Sequence, residues 1–293
     1  MSLMVPNWWF TNQLSTLDLG TMVAGNVPQN HTFTLGTTNV KGATSVIFTS
    51  LQASFDVHYF ELTIGGIFTA AANIQALADL RTDPAGGTAW EDTIANIACG
   101  MTFQHTSGGS TPLKLGFPVY RKAGTSWGIR GQTNSATVNA SNQARYTLTL
   151  YGNPCRPDMF VQGVGCETIG ADTANSNGTQ VTPATTATTP SYGSWTVIGK
   201  ANRTSKAVQM SIGGPVTTVV ASTSLQFQLG QGASSILQYV PPLMAMYDTS
   251  ERGGRNNHDR AYACDVASGT TFIVRATGIG TVLPTGVCVH SVF

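Results

Sequence analysis

Apolar and polar residues alternate over short runs along most of this chain, and turn residues interrupt the runs. Tyr59-Phe60-Glu61-Leu62-Thr63-Ile64 puts Phe60, Leu62 and Ile64 on one side of an extended strand, and Gly65-Gly66 follows as a turn or bulge. Ala207-Val208-Gln209-Met210-Ser211-Ile212 does the same with Val208, Met210 and Ile212 before Gly213-Gly214. Arg145 to Tyr151 alternates cleanly and stops at Gly152-Asn153-Pro154, and Val287 to Phe293 reads as a further strand. One stretch breaks the pattern. Good helix formers fill Ala70 to Leu80, with Thr69 as a cap and Asp83-Pro84 as a stop. This predicts a short helix with Ile74, Leu77, Ala78 and Leu80 as its buried stripe.

Two of these strands share more than alternation. Residues 59–66 and 207–214 both read apolar-x-[Leu/Met]-[Thr/Ser]-Ile-Gly-Gly, offset by 148 positions. Further on, Gly124-Thr125-Ser126-Trp127-Gly128-Ile129-Arg130 matches Gly269-Thr270-Thr271-Phe272-Ile273-Val274-Arg275, offset by 145. Two motifs in one order at nearly one offset indicate an internal duplication. Trp127 and Phe272 fall on the apolar side of their strands and read as core. Arg130 and Arg275 fall on the other side, towards solvent or a neighbour.

Many short strands with regular turn signals indicate a β-sandwich or jelly roll. The expected fold is therefore all-β, two tandem β-sandwich or jelly-roll modules with a short helical insertion in the first. Residues 171–191 hold one charge and no aromatic residue, so they cannot fold alone and read as a linker or extended strap. The divisions are an N-terminal arm (1–25), a first sandwich (26–154), a linker (155–191) and a second sandwich (192–293).

Composition narrows the function. Charged residues make up only 10 % of the 293 positions, against roughly 25 % in average soluble proteins. Polarity comes from uncharged groups, with 41 Thr and 32 Gly. Surface of that kind suits contact with other protein, because interface cores are depleted in charge. A net charge of +1 provides no field for nucleic acid or an anionic membrane, so neither is an expected partner. No run approaches 18 apolar residues, and Met1 to Phe10 lacks the layout of a secretory signal.

Candidate chemistry is sparse. The five cysteines, Cys99, Cys155, Cys166, Cys264 and Cys288, are widely spaced and show no metal-ligand pattern. They read as buried small hydrophobes, with a Cys155–Cys166 bridge as the alternative. Gly124-Thr-Ser126-Trp-Gly128 matches the G-x-S-x-G nucleophile elbow, which requires strand, turn and helix. The residues after it continue a strand, and the second copy replaces the serine by Thr271. His258-Asp259 sits in the most charged stretch, 251–260, and reads as a solvated loop tip. No catalytic residue, cofactor or metal ligand is expected. The arm differs: Trp8-Trp9-Phe10 has no counterpart before the second copy. Adjacent tryptophans on an extended segment point to opposite faces, so these three residues, with Arg130 and Arg275, are the candidates for interface contact.

Residues 225–246 (Leu-Gln-Phe-Gln-Leu-Gly-Gln-Gly-Ala-Ser-Ser, then an apolar strand) precede Ser268-Gly269-Thr270 and a strand ending in Arg275. This order resembles β-sandwich modules in virion proteins of tailed bacteriophages. The resemblance implies a non-enzymatic structural component of the particle, in capsid decoration, neck or tail. It further implies assembly in the host cytoplasm, and partners that are other virion proteins and other copies of the chain, as a homo-oligomer. A receptor- or carbohydrate-binding tail or spike module is the second reading.

Overall fold

A computed structural model describes residues 10, 12–16, 31–68, 74–86, 88–102, 113–134, 143–155, 161–185, 191–215, 223–247, 260–280 and 283–293. Among them every regular element is a strand. The first unit contains β1 (Gln13–Ser15), β2 (Thr32–Gly36), β3 (Ser45–Phe48), β4 (Tyr59–Phe68), β5 (Ile74–Asp83), β6 (Glu91–Thr102), β7 (Leu113–Phe117), β8 (Ser126–Thr133) and β9 (Gln143–Tyr151). The short strands β10 (Cys166–Ile169), β11 (Ala171–Asp172), β12 (Asn177–Val181) and β13 (Ala184–Thr185) follow. The chain continues through β14 (Thr196–Lys200), β15 (Ser205–Pro215), β16 (Thr223–Gln231) and β17 (Ser235–Ile236). It closes with β18 (Leu243–Tyr247), β19 (Tyr262–Val266), β20 (Thr271–Gly280) and β21 (Thr285–Val292).

Pairing sorts the first unit into two layers. One runs β7–β4–β9 and on to β2, with β1 also on β9; the other runs β6–β5–β8 with β3 on β8. Taking β1 and β2 as parts of one first strand, the layer orders are 1-8-3-6 and 2-7-4-5, an eight-stranded jelly roll. β2 joins the layers: Thr32 to Thr34 pair with β9, whereas Leu35 and Gly36 pair in parallel with β8. The second unit repeats the plan. Its layers are β19–β15–β21 with β10 and β12 on β21, and β18–β16–β20 with β14 on β20.

The registers repeat as well. Ile64 faces Tyr146 and Leu62 faces Leu148 in the first unit; Ile212 faces Val287 and Met210 faces Val289 in the second. A bulge falls between Val46 and Phe48 where β3 meets β8, and another between Val197 and Gly199 where β14 meets β20. Gly124 and Gly269 both turn at a left-handed φ, 81° and 82°. Each unit has its own core. Phe60, Leu62, Ile64, Trp127 and Leu148 fill the first, and Val208, Met210, Ile212, Phe272 and Val289 fill the second. Trp127 and Phe272 are fully buried, as their strand pattern requires.

The helix expected over Ala70 to Leu80 needs correction. Residues 69–73 lie outside the described residues, but Ile74–Asp83 is a central strand held between β6 and β8. Ala, Leu and Gln favour helix in isolation, yet propensity is a weak prior against a ladder on both edges. Ala76, Ala78 and Leu80 enter the first core, while Leu77 is buried on the opposite face. A strand apolar on both faces loses its period of two, and here that loss imitates a helical stripe. The stretch 155–191, read as a linker, carries β10 to β13. They pair with β20, β21 and one another, so neighbouring strands supply the backbone partners that a lone segment lacks.

Candidate assembly surface

The outer face of the β15–β21 layer packs against the β6 flank of the first unit. β21 is buried on both sides along its whole length. Val287 and Val289 point into their own core, while Cys288 meets Leu77 and Ala98 of the first unit. Ala207 and Val292 join the first unit's core cluster. Ala98, Ala207 and Gly213 at this junction are small, which lets the sheets approach closely: a Cβ built on Gly213 would lie 3.4 Å from the Ala98 methyl.

His290 is the polar centre of the junction. It is fully buried and hydrogen-bonded at both ring nitrogens. The Thr168 hydroxyl donates to the Ala95 carbonyl of β6 (2.5 Å), so it accepts from Nδ1–H of His290 (3.0 Å). Nε2 then accepts from the Ser211 hydroxyl (2.8 Å). The Phe117 ring of the first unit stands edge-on to the imidazole, 5.8 Å between centroids. Burial lowers the His290 pKa to about 3, so the ring is neutral at ordinary pH. Gln132 adds a second polar link, donating to the Thr173 carbonyl and the Ser176 hydroxyl.

Arg130 and Arg275 occupy the same place in the two units and are held differently. Arg130 Nε lies 2.8 Å from Asp79, and its Nη2 lies 3.1 Å from Asp92. Asp79 is almost fully buried, and Lys41 (2.7 Å) and the Asn96 amide also bond its carboxylate. In the second unit Gln228 takes the position of Asp79, bonding Arg275 at 2.8 and 2.6 Å. The Arg275 guanidinium also lies against Tyr192 and Trp195, 4.7 and 4.5 Å from the ring centroids. Neither Asp79 nor His290 stood out in the sequence. An acid inside an apolar run, and a histidine inside a closing strand, were the available signals.

Of the arm, Trp8 and Trp9 lie outside the described residues. Phe10 packs on its own chain, stacked on Tyr59 (5.8 Å) and tilted against Tyr151 (5.0 Å).

The remaining motifs do not converge. Ser126 is buried at the start of β8, opposite Asp83, and the chain continues as strand to Thr133. The elbow geometry is therefore not adopted. His258-Asp259 lies outside the described residues. Among the described residues no His, Cys, Asp or Glu cluster could hold a metal ion, and no helix is long and apolar enough to cross a membrane. Cys99, Cys166, Cys264 and Cys288 are free thiols. Burial raises the Cys99 and Cys288 thiols to about 12. A cleft of about 590 Å³ opens between β16–β17 and β19, lined by Lys206, Gln231, Tyr239 and Asp265 among others.

No family model matches the chain, and no curated protein matches it. Among solved structures, the cryo-EM structure of Broad Bean Stain Virus is similar at 8 % identity, covering 93 % of this chain and 92 % of that chain, with a TM-score of 0.28. A likeness of that degree lends nothing to an assignment of function.

Proposed function

We propose that this chain is a non-enzymatic structural component of a virus particle, of the tailed-phage kind, serving in capsid decoration, neck or tail. The observation that carries the reading is the architecture: two jelly rolls of one strand order in a single chain, joined face to flank through small and uncharged residues. Jelly rolls serve chiefly as capsid, lectin and cupin modules. The low charge of the chain fits repeated protein contact. The division into sandwiches at 26–154 and 192–293 belongs to the same reading, with 155–191 bridging them and lending β10 to β13 to the second unit's sheets, as does attachment through Trp8 and Trp9. The test is quantitative densitometry of purified particles. A fixed, high copy number relative to the major shell protein is expected, and absence from particles would sink the assignment.

The second reading, a carbohydrate- or receptor-binding module, is favoured by one feature. Tyr239 stands 75 % exposed at the cleft with Gln231, Lys206 and Asp265, a stacking ring beside polar groups. Retardation of the isolated protein on host glycan, lost in Tyr239→Ala, would favour it over the structural role.

A further inference from the structure

The second unit carries, among the described residues, a partly exposed copy of the surface by which the first unit receives it. In the first unit, Leu77 on β5 pairs with Ala98 on β6 and Gln132 on β8. All three are buried beneath the second unit. The equivalent positions are Gln226 on β16, paired with Met244 on β18 and Thr277 on β20. Here Met244 is 54 % exposed, and Ile279 beside it is 57 % exposed. Together with Ser224, Gln226 and Thr277 they line a groove of about 140 Å³. Among the described residues Thr277, buried at the floor of this groove, has no hydrogen-bond partner for Oγ1, whereas Gln132 in the same position bonds across the junction.

We propose that this face of the second unit binds the first unit of another copy of the chain, through the outer face of that copy's β4–β9 pair. The occupant follows from the intrachain junction. The face that covers Leu77 and Ala98 is that of β15 and β21, where Ser211 pairs with Cys288. That face is already used within the chain. Its counterpart in the first unit is β4 with β9, where Thr63 pairs with Thr147, both half-buried. A second copy thus offers one face of the required kind. The contact joins two different surfaces, so it is heterologous and propagates into a ring or an open array. This deepens the self-assembly part of the proposed function and rests on it.

The test uses the full chain in sedimentation velocity over a range of concentrations. The parent should form oligomers that grow with concentration. Met244→Arg should sediment as a 30.8 kDa monomer with unchanged melting, and Thr147→Lys should do the same. Ile279→Lys and Thr63→Lys serve as second variants on the two faces if either first choice unfolds. An equimolar mixture of Met244→Arg and Thr147→Lys should give a heterodimer and nothing larger, because one intact face survives on each chain. An oligomer that still grows with concentration in both Met244→Arg and Ile279→Lys overturns the inference alone. So does a mixture that stays monomeric, since the contact would then pair other surfaces. A parent that is monomeric at every concentration overturns the inference and the self-assembly reading together.

Discussion

At the scale of single residues, buried groups set the measurable consequences. Trp127→Ala and Phe272→Ala should each cost about 3–5 kcal/mol, the usual range for deleting a buried aromatic. Denaturant unfolding with matched m-values checks this. Parent-like melting of both variants would mean that the cores are filled otherwise. The turn glycines make a cleaner probe. A Cβ on Gly124 or Gly269 meets no atom within 4 Å, yet φ lies near +80° at both. Gly124→Ala and Gly269→Ala should therefore cost similar amounts, about 1–2 kcal/mol, through backbone strain alone. His290 ties stability to pH. Its pKa is about 3 in the folded chain against 6.5 for the free side chain, so the unfolded state takes up a proton that the native state refuses. Stability from this group is fully present above about pH 6.5 and is lost progressively as pH drops towards 3, by the uptake of one proton on unfolding. His290→Gln should flatten that slope between pH 6.5 and 4, and an unchanged slope would assign it to other groups. The thiols should separate by access. Exposed Cys155 reacts quickly with a thiol reagent, while Cys99 and Cys288 wait for unfolding. Early modification of all five would contradict the burial.

At the scale of elements, much of the fold could be read from alternation, and the exceptions have opposite causes. β4, β9, β15 and β20 have one apolar face towards a core, so a period of two was visible in each. The repeated Ile-Gly-Gly and Gly-Thr motifs marked equivalent strands because both copies need the same bend and the same left-handed turn. β5 was misread because two bodies cover it, and Leu77 makes its outer face apolar as well, which erases the period. β10 to β13 were illegible for the opposite reason. Their Thr, Ala and Asn residues carry little apolar signal, and only pairing with β20 and β21 makes them strands. The junction was hidden too: Ala98, Gly213 and Ser211 are valuable there because they are small, and small residues advertise nothing in a sequence. The pair at Asp79 belongs to this scale. Asp79→Asn would leave Arg130 and Lys41 facing a neutral amide in an almost fully buried position, at an expected cost of about 3–5 kcal/mol. Since Gln228 serves Arg275 in the second unit, Asp79→Gln with Lys41→Met should recover part of that loss. No recovery in the double variant's melting would show that the charge itself is needed.

At the scale of the whole molecule, the attachment proposed for the arm can be tested apart from the junction. Phe10 is seated on Tyr59 and Tyr151, so removing residues 1–9 should leave melting nearly unchanged while particle incorporation is lost. Incorporation at the parental level would move attachment away from Trp8 and Trp9. The junction has a consequence of another sort, in the order of synthesis. β21 follows every other strand in the chain, yet it is central to its own sheet and seals the flank of a unit whose strands were completed by Tyr151. A ribosome must add about as many residues again before that flank is closed. During this interval the nascent first unit presents Leu77, Ala98 and Phe117 to water, and a second unit released by a neighbouring ribosome can settle there instead. Exchange of this kind would interlink chains before either is finished. Polysome density should therefore set the yield of swapped dimers, with sparse initiation giving unlinked chains and dense initiation giving pairs that withstand dilution and dissociate only on unfolding. A dimer fraction indifferent to initiation rate would mean that closure outpaces encounter.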